Sequence, residues 1–353
     1  GYPYFNGTMG KRVAARERIK DMSVHYVHDT NSTGETSRLL PVATLVDVSG
    51  NGGEAAPVVV MTRSVETVAL NTTLETYLNP RVDGLLIREK MYLEQVICGA
   101  CERKTVFKVA NWDKGIADDA NDVQFTTRAA QFQVREESDC CNRYCFRQFR
   151  ELKLGVFALG GTMHDIGETP GWVEDVEPIL IMEKPCRFPI VCGCCMFCAP
   201  EMDLIRPPTE KSSFGERERL GRAIVDWKWY NCCWPGTWVS VEGVRGNVIY
   251  NLYRPVLCAD SCSNCCAPSC CNKTHTTYIQ QGSSPSGPVV GSLLNVWPGW
   301  NVRGLCMQNS GADNFIVKFP KGADAVEKAL ILNATFLSKF VFWGTRANQN
   351  NDF

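Results

Sequence analysis

Two clusters of cysteines hold the residues best placed to do chemistry. The run Arg187-Phe188-Pro189-Ile190-Val191 opens onto Cys192, Cys194, Cys195 and Cys198, and Arg254-Pro255-Val256-Leu257 opens onto Cys258, Cys262, Cys265 and Cys266. Three readings compete for such spacings. Packed thiols beside Ile190, Val191, Met196 and Phe197 are good thioester acceptors, and several acyl chains anchor a protein where one does not. Cys195-x2-Cys198 and Cys262-x2-Cys265 each supply one zinc-ligand pair, so a tetrahedral site needs both loops to converge. With four histidines in the chain and only His275 nearby, zinc is the weakest of the three. Free cysteines also pack as small hydrophobes. Nineteen cysteines with adjacent pairs such as Cys140-Cys141 and Cys232-Cys233 fit a disulfide framework poorly. That favours a reducing compartment and a cytoplasm-facing location.

Other chemistry has little to stand on. The chain has no G-x-S-x-G, no H-E-x-x-H and no Gly-rich phosphate loop, and His164-Asp165 is an isolated pair. No catalytic residue is named by the sequence, and bond-making chemistry is not the expectation. Trp227, Trp229, Trp234 and Trp238 cluster around Cys232-Cys233, and Trp297 and Trp300 bracket a Pro-Gly turn. Such rings suit a lipid headgroup boundary or the capped end of a barrel.

The elements that must position these residues are mostly strands. LLIREKMYLEQVI, KTVFKVANW, RAAQFQVREES, FRQFRELKLGVFAL, ILIMEKPCRF, TWVSVEG, NVIYNLYRPV, GSLLNVW and DNFIVKF are short β-rich runs bounded by turn signals, which predicts an all-β sheet or barrel. One unit occurs twice. A strand, a cysteine loop, a second strand and Gly221-x5-Trp227 are echoed by a strand, a cysteine loop, a strand and Gly291-x5-Trp297. Repetition of this kind suits a sheet closed by duplication. Residues 1–70 carry a charged, helix-prone stretch and two β-branched runs around SGNGGE; they predict an extension with a hairpin, an arm for a protein partner. Residues 71–353 form the barrel domain, with a C-terminal core helix over 325–343.

Charge and hydropathy exclude some partners. A formal net charge of −1 provides no whole-chain field for nucleic acid. No 18-residue apolar window and no signal-peptide pattern appear, although a chain starting at Gly1 leaves a removed leader open. The run from Ala329 to Trp343 contains Asn333, Ser338 and Lys339 and is shorter than the roughly 20 apolar residues of a spanning helix. A helix buried inside a barrel is the expectation.

Several segments, in order, resemble the phospholipid scramblase family. They are Leu74-Glu75-Thr76-Tyr77-Leu78, LLIREKMYLEQVICGACERKTVFKVAN, REESDCCNRYCFRQFRELKL, CGCCMFCAPEMDLIRPP and GADNFIVKFPKGADAVEKALILNATFLSKFVFW, covering about residues 70–344. The resemblance implies a tubby-like (LURP-one-like) fold, a closed barrel of about twelve strands around a C-terminal apolar helix. It also implies ATP-independent movement of phospholipids between leaflets, stimulated by calcium, and peripheral attachment to the cytoplasmic face of a membrane through acylation at Cys192, Cys194, Cys195 and Cys198. The matching calcium loop is degenerate. Its first and twelfth positions are Gly311 and Gly322, Phe315, Val317 and Phe319 take ligand positions, and the oxygen donors left in the segment are Asp313, Asn314 and Asp324. Calcium wants six to eight oxygens, so no cofactor is firmly implied. Lys339 stands where the family usually has Asp, and Gly344 where it has Glu. The alternative reading is a scramblase-like barrel without activity, serving as a scaffold subunit of a larger assembly.

Overall fold

The computed structural model describes residues 74–91, 104–118, 122–139, 143, 150–159, 176–186, 199–207, 217–225, 236–255, 273–284, 286–304 and 313–343. The chain divides into two units, Gly1–Thr62 and Arg63–Phe353, and every described residue belongs to the second. The 1–70 extension and the clusters at Cys192–Cys198 and Cys258–Cys266 therefore lie outside the described residues.

Alternating apolar residues set up twelve strands. They are β1 (Gly84–Glu89), β2 (Val106–Trp112), β3 (Phe132–Glu137), β4 (Leu152–Ala158), β5 (Leu180–Lys184), β6 (Glu201–Ile205), β7 (Arg219–Val225), β8 (Gly236–Gly243), β9 (Val248–Pro255), β10 (Thr274–Gln281), β11 (Val289–Val296) and β12 (Asn314–Lys318). Each pairs antiparallel with the next, and β12 returns to β1 with Gly84 opposite Lys318 and Arg88 opposite Asn314. Closure leaves no strand edge unpaired. The expected mainly-β closed barrel is what the chain forms. The duplicated units fall on β5–β7 and β9–β11, and the glycine of each marks a close approach. A Cβ at Gly221 would sit 2.3 Å from the Glu242 carbonyl oxygen and 2.7 Å from Leu330 Cδ2; one at Gly291 would sit 2.5 Å from the Lys318 oxygen.

Strand period two sends one residue in two into the lumen. Leu85, Ile87, Phe107, Val109, Val134, Leu154, Met182, Leu204, Val241, Leu252, Leu293, Phe315 and Val317 form one core with the helix α2, Ala325–Ser338. From Ala329 to Ser338 every helix residue is buried, polar Asn333 and Thr335 included. A helix apolar all round has to be enclosed on all sides, and this one fills the barrel. Asp324 caps it: its carboxylate accepts from the Glu327 amide at 2.8 Å while Glu327 accepts from the Asp324 amide at 3.2 Å. Lys328 Nζ donates to the carbonyls of Asn79 and Val82 at 2.7 and 2.9 Å, and Asn333 Nδ2 donates to Met202 O at 2.8 Å, so these buried donors find backbone acceptors. Phe107 packs edge-on against Phe336 with ring centres 4.8 Å apart. The last turn, Lys339–Trp343, is π-helical. Outside the barrel, the short helix α1 (Asp122–Thr127) covers β1, β2, β11 and β12 through Phe125, which packs with Leu86, Ala110, Leu294 and Ile316.

The up-and-down order gives the barrel two rims. α2 starts at the lower rim, beside Asn79 and Val82, and ends at the upper rim, where β1 finishes and β12 begins. Among the described residues no helix is long and apolar enough to cross a membrane.

Candidate functional site: a charged plug at the upper rim

The inward-facing sequence turns from apolar to charged at the upper rim. The inward positions that follow Ile87, Val134 and Met182 are Glu89, Glu136 and Lys184, and those that precede Leu152 and Phe315 are Arg150 and Asp313. All five are buried. Buried charges must be paired and hydrogen-bonded to be tolerated, and here they form two sets.

In the first set, Lys339 from the π-helical turn reaches between two carboxylates. Its Nζ lies 2.9 Å from Glu89 Oε2 and also pairs with Asp313 Oδ2, with the three side chains 4–9% exposed. The Asp313 amide donates to Glu89 Oε2 at 2.9 Å, and Asn295 Nδ2 donates to Asp313 Oδ1 at 3.2 Å. Burial pushes the Glu89 carboxyl up to about 7, against the pull of the Lys339 ammonium. For Lys339 burial acts in the lowering direction, but Asp313 and Glu89 outweigh it and hold the ammonium above its ordinary value. Lys339 is therefore charged at neutral pH and serves as a tethered cation.

In the second set, Glu136 Oε1 accepts from Arg150 Nη2 at 3.0 Å and from Ser138 Oγ at 2.6 Å, while Oε2 accepts from the Thr105 amide at 3.0 Å. Burial alone would raise its pKa; Arg150 and these bonds overcome that and hold it below the usual carboxylate range. Lys184 Nζ donates to the Arg150 carbonyl at 2.8 Å, and burial, with help from the Arg150 charge, pushes the amine down to about 8. Phe340 lies under the Arg150 guanidinium at 5.4 Å, and Trp343 under that of Arg254 at 5.6 Å. These rings join the end of the helix to the charged strands.

A third group braces the barrel seam from outside. Asp122 on α1 accepts from Arg88 at 2.9 and 3.0 Å and from Asn314 Nδ2 at 3.3 Å, and lies 3.1 Å from Arg303 Nε. Arg303 also donates to Asn314 Oδ1 at 2.9 Å and to the Glu89 carbonyl at 2.7 Å. It thereby connects the outer brace to the inner plug. Despite its burial, Asp122 is held below its ordinary pKa by Arg88 and Arg303.

The expected calcium donors are not brought together. Asp313 is engaged by Lys339 and Asn295 in the lumen, Asn314 by Arg303 and Asp122 at the seam, and Asp324 caps α2 at the opposite rim. Between Asp313 and Asp324 lie β12 and a turn in which Gly322 adopts φ 80°. Among the described residues no group of three or more His, Cys, Asp or Glu side chains is placed to hold a metal. The donor set does not fit calcium. A pocket of about 280 Å³ beside β4–β6, lined by Glu151, Lys153, Glu183, Lys184, Glu201 and Asp203, is also engaged internally: Glu183 pairs with Lys153 at 3.3 Å and with Arg217 at 2.8 Å, and Asp203 with Arg219 at 3.5 Å.

The sequence reading missed the plug. Its only local signals were charges at the ends of apolar alternations, Glu89 after Ile87 and Lys184 after Met182, and a lysine near the end of an otherwise apolar helix.

Comparison with known proteins places the chain beside one group. It is 22% identical to Phospholipid scramblase 1 of Homo sapiens over 271 residues, 76% of this chain and 65% of that protein. It is 24% identical to Phospholipid scramblase 1 of Rattus norvegicus over 271 residues, 76% and 62% of the two chains. To Phospholipid scramblase 4 of Homo sapiens it is 22% identical over 227 residues, 63% and 54%. The chain thus spans somewhat less than two thirds of the relatives it matches. No family model and no solved structure matches it. The chain is a distant relative of the phospholipid scramblases, with the closed twelve-strand barrel that the resemblance implied.

Proposed function

We propose that this chain is a scramblase-type barrel that binds the surface of a phospholipid membrane, promotes ATP-independent movement of lipids between leaflets, and does so without calcium. The observation that carries the reading is the similarity to Phospholipid scramblase 1 over 271 residues, 76% of this chain. Independence from calcium rests on Lys339. Its ammonium lies against the carboxylates of Glu89 and Asp313, where a metal would compete with a covalently tethered charge. α2 fills the lumen, so lipids move along the outside of the barrel rather than through it.

Attachment is peripheral, on the cytoplasmic face, through acyl thioesters at Cys192, Cys194, Cys195 and Cys198. Each acylation forms a bond from the cysteine sulfur to the carbonyl carbon of an acyl-CoA and breaks that carbon's bond to the CoA sulfur, the thiol proton leaving with CoA. Two or more chains give stable anchoring where one is marginal. The second cluster, Cys258, Cys262, Cys265 and Cys266, is a further set of acyl acceptors in this reading, and residues 1–70 are an arm for protein partners.

A second reading is favoured by one observation, the engagement of every candidate calcium donor within the fold. In it the barrel is a scaffold subunit of a larger assembly with no lipid activity. A vesicle assay with a fluorescent lipid quenched from outside separates the two. Loss of inner-leaflet signal with purified chain, equal in calcium and in chelator, supports the first reading; no loss in either condition, with stable co-purification of other subunits, supports the second.

A further inference from the structure

Lys184 stands apart from the other buried cations of the plug. Lys339 lies between Glu89 and Asp313, and Arg150 pairs with Glu136. The Lys184 amine donates to the Arg150 carbonyl at 2.8 Å and, among the described residues, pairs with no carboxylate. The residue is 2% exposed, and burial together with the Arg150 charge pushes its amine down to about 8. A buried cation without a countercharge destabilises the fold for as long as it stays charged.

Lys184 is also part of the wall of the pocket beside β4–β6, a space of about 280 Å³. The acids around this pocket are already engaged. Glu183 is held by Lys153 and Arg217, Asp203 by Arg219, and Glu201 by Arg222 at 3.6 Å. They do not neutralise the lysine, and their charge makes the pocket a poor place for an anion that might do so. What remains is a lysine that loses its charge by reacting. A desolvated amine at the wall of a pocket is a nucleophile. Roughly a fifth of this one is neutral at pH 7.4, against about 0.1% of an ordinary lysine.

We propose that Lys184 is a modification site, whose amine takes a short acyl group from an acyl-CoA thioester entering the pocket. The Nζ lone pair attacks the thioester carbonyl carbon; a carbon–nitrogen bond forms, the carbon–sulfur bond breaks, and the CoA thiolate leaves with the proton that the amine gives up. The amide product suits its surroundings better than the ammonium. It keeps an N–H for the Arg150 carbonyl and removes the positive charge beside the Arg150 guanidinium. An imine formed with an aldehyde either lacks that N–H or, when protonated, keeps the charge, so acyl transfer is the chemistry the site favours. The pocket sets the size of the group, because so little of the residue is open to solvent. Neither lipid movement nor thioesters on the cysteines are needed for this reaction.

The test incubates the folded full chain with acetyl-CoA at pH 7.5 and follows acetylation of each lysine by peptide mass spectrometry. Lys114, with a side chain 79% exposed, is the internal reference. Lys184 is expected to react at least about fivefold faster than Lys114, with a rate that levels off above about pH 8, and to lose this advantage in urea. A Lys184 rate no higher than that of Lys114, or an advantage that survives unfolding, overturns the proposal. Lys184→Gln checks the charge independently of any reagent. Between pH 8 and the ordinary lysine range the unfolded wild type holds a proton that the folded amine has released, so wild-type stability rises with pH there. From pH 7 to pH 10 the unfolding equilibrium constant of wild type should therefore fall by at least about tenfold relative to that of the variant. A ratio of the two constants that stays the same across this range also overturns the proposal, whichever chain is the more stable at pH 7.

Discussion

Lys339→Met removes one cation from between two buried carboxylates and keeps the length and apolar character of the stem. Lys339, Glu89 and Asp313 are 4%, 9% and 5% exposed at the side chain, so water cannot replace the lost ammonium. Breaking a buried pair by removing one partner costs about 3–5 kcal/mol. For a barrel of this size that corresponds to a fall in Tm of roughly 6–20 °C, taking ~2–4 °C per kcal/mol. The loss depends on pH with a definite sign. Without Lys339 the Glu89 carboxyl loses the charge that pulls it down and rises further above its unfolded value, so the folded state binds more protons than the unfolded one and stability falls as pH rises. The penalty should be at least ~1.4 kcal/mol smaller at pH 5 than at pH 8, the equivalent of one pKa unit. Urea unfolding of wild type and variant at both pH values measures it. A loss below about 1 kcal/mol at pH 8, or an equal loss at the two pH values, would refute the tethered-cation account.

Arg150→Met should cost about 3–5 kcal/mol in the same urea assay, because it leaves the fully buried Glu136 with hydrogen bonds but no countercharge. Glu89→Gln should flatten the stability profile between the ordinary carboxylate value of 4.5 and about 7, where the wild-type folded state holds a proton that the unfolded chain releases and so loses stability as pH rises; a profile with unchanged slope in that window would count against it. Phe336→Ala should cost about 3–5 kcal/mol by emptying the lumen beside Phe107. Asp324→Ala should cost about 1 kcal/mol, measured by thermal unfolding, through loss of the capping box. Calcium and chelator should leave the Tm of wild type equal.

The strands and the helix were legible because local pattern determines them. Alternation in FIVKF gave β12, and the apolar run gave α2, whose α and π turns together cover 325–343. Enclosure could be read from a helix too short to span and apolar on every face. The plug could not. Glu89 and Asp313 share a hydrogen bond across a separation of 224 residues, made only when β12 closes onto β1, and no spacing rule reaches that far. Lys339 illustrates the difficulty well. In sequence it was one charge that shortened an apolar run and departed from a family pattern; in the fold it joins the end of the helix to both strands of the seam. Asp313, Asn314 and Asp324 likewise looked like neighbours along a loop, yet β12 sends the first two to opposite faces of the sheet and the third to the other rim.

The central claim is that a barrel with a tethered lysine in place of a metal moves phospholipid between leaflets without calcium. The direct measurement is the rate of inner-leaflet fluorescent lipid exposure in vesicles carrying the purified, acylated full chain, recorded in chelator and in calcium. The account predicts a rate well above protein-free vesicles and the same in both conditions. A rate equal to protein-free vesicles in chelator, whether or not calcium raises it, would contradict the account.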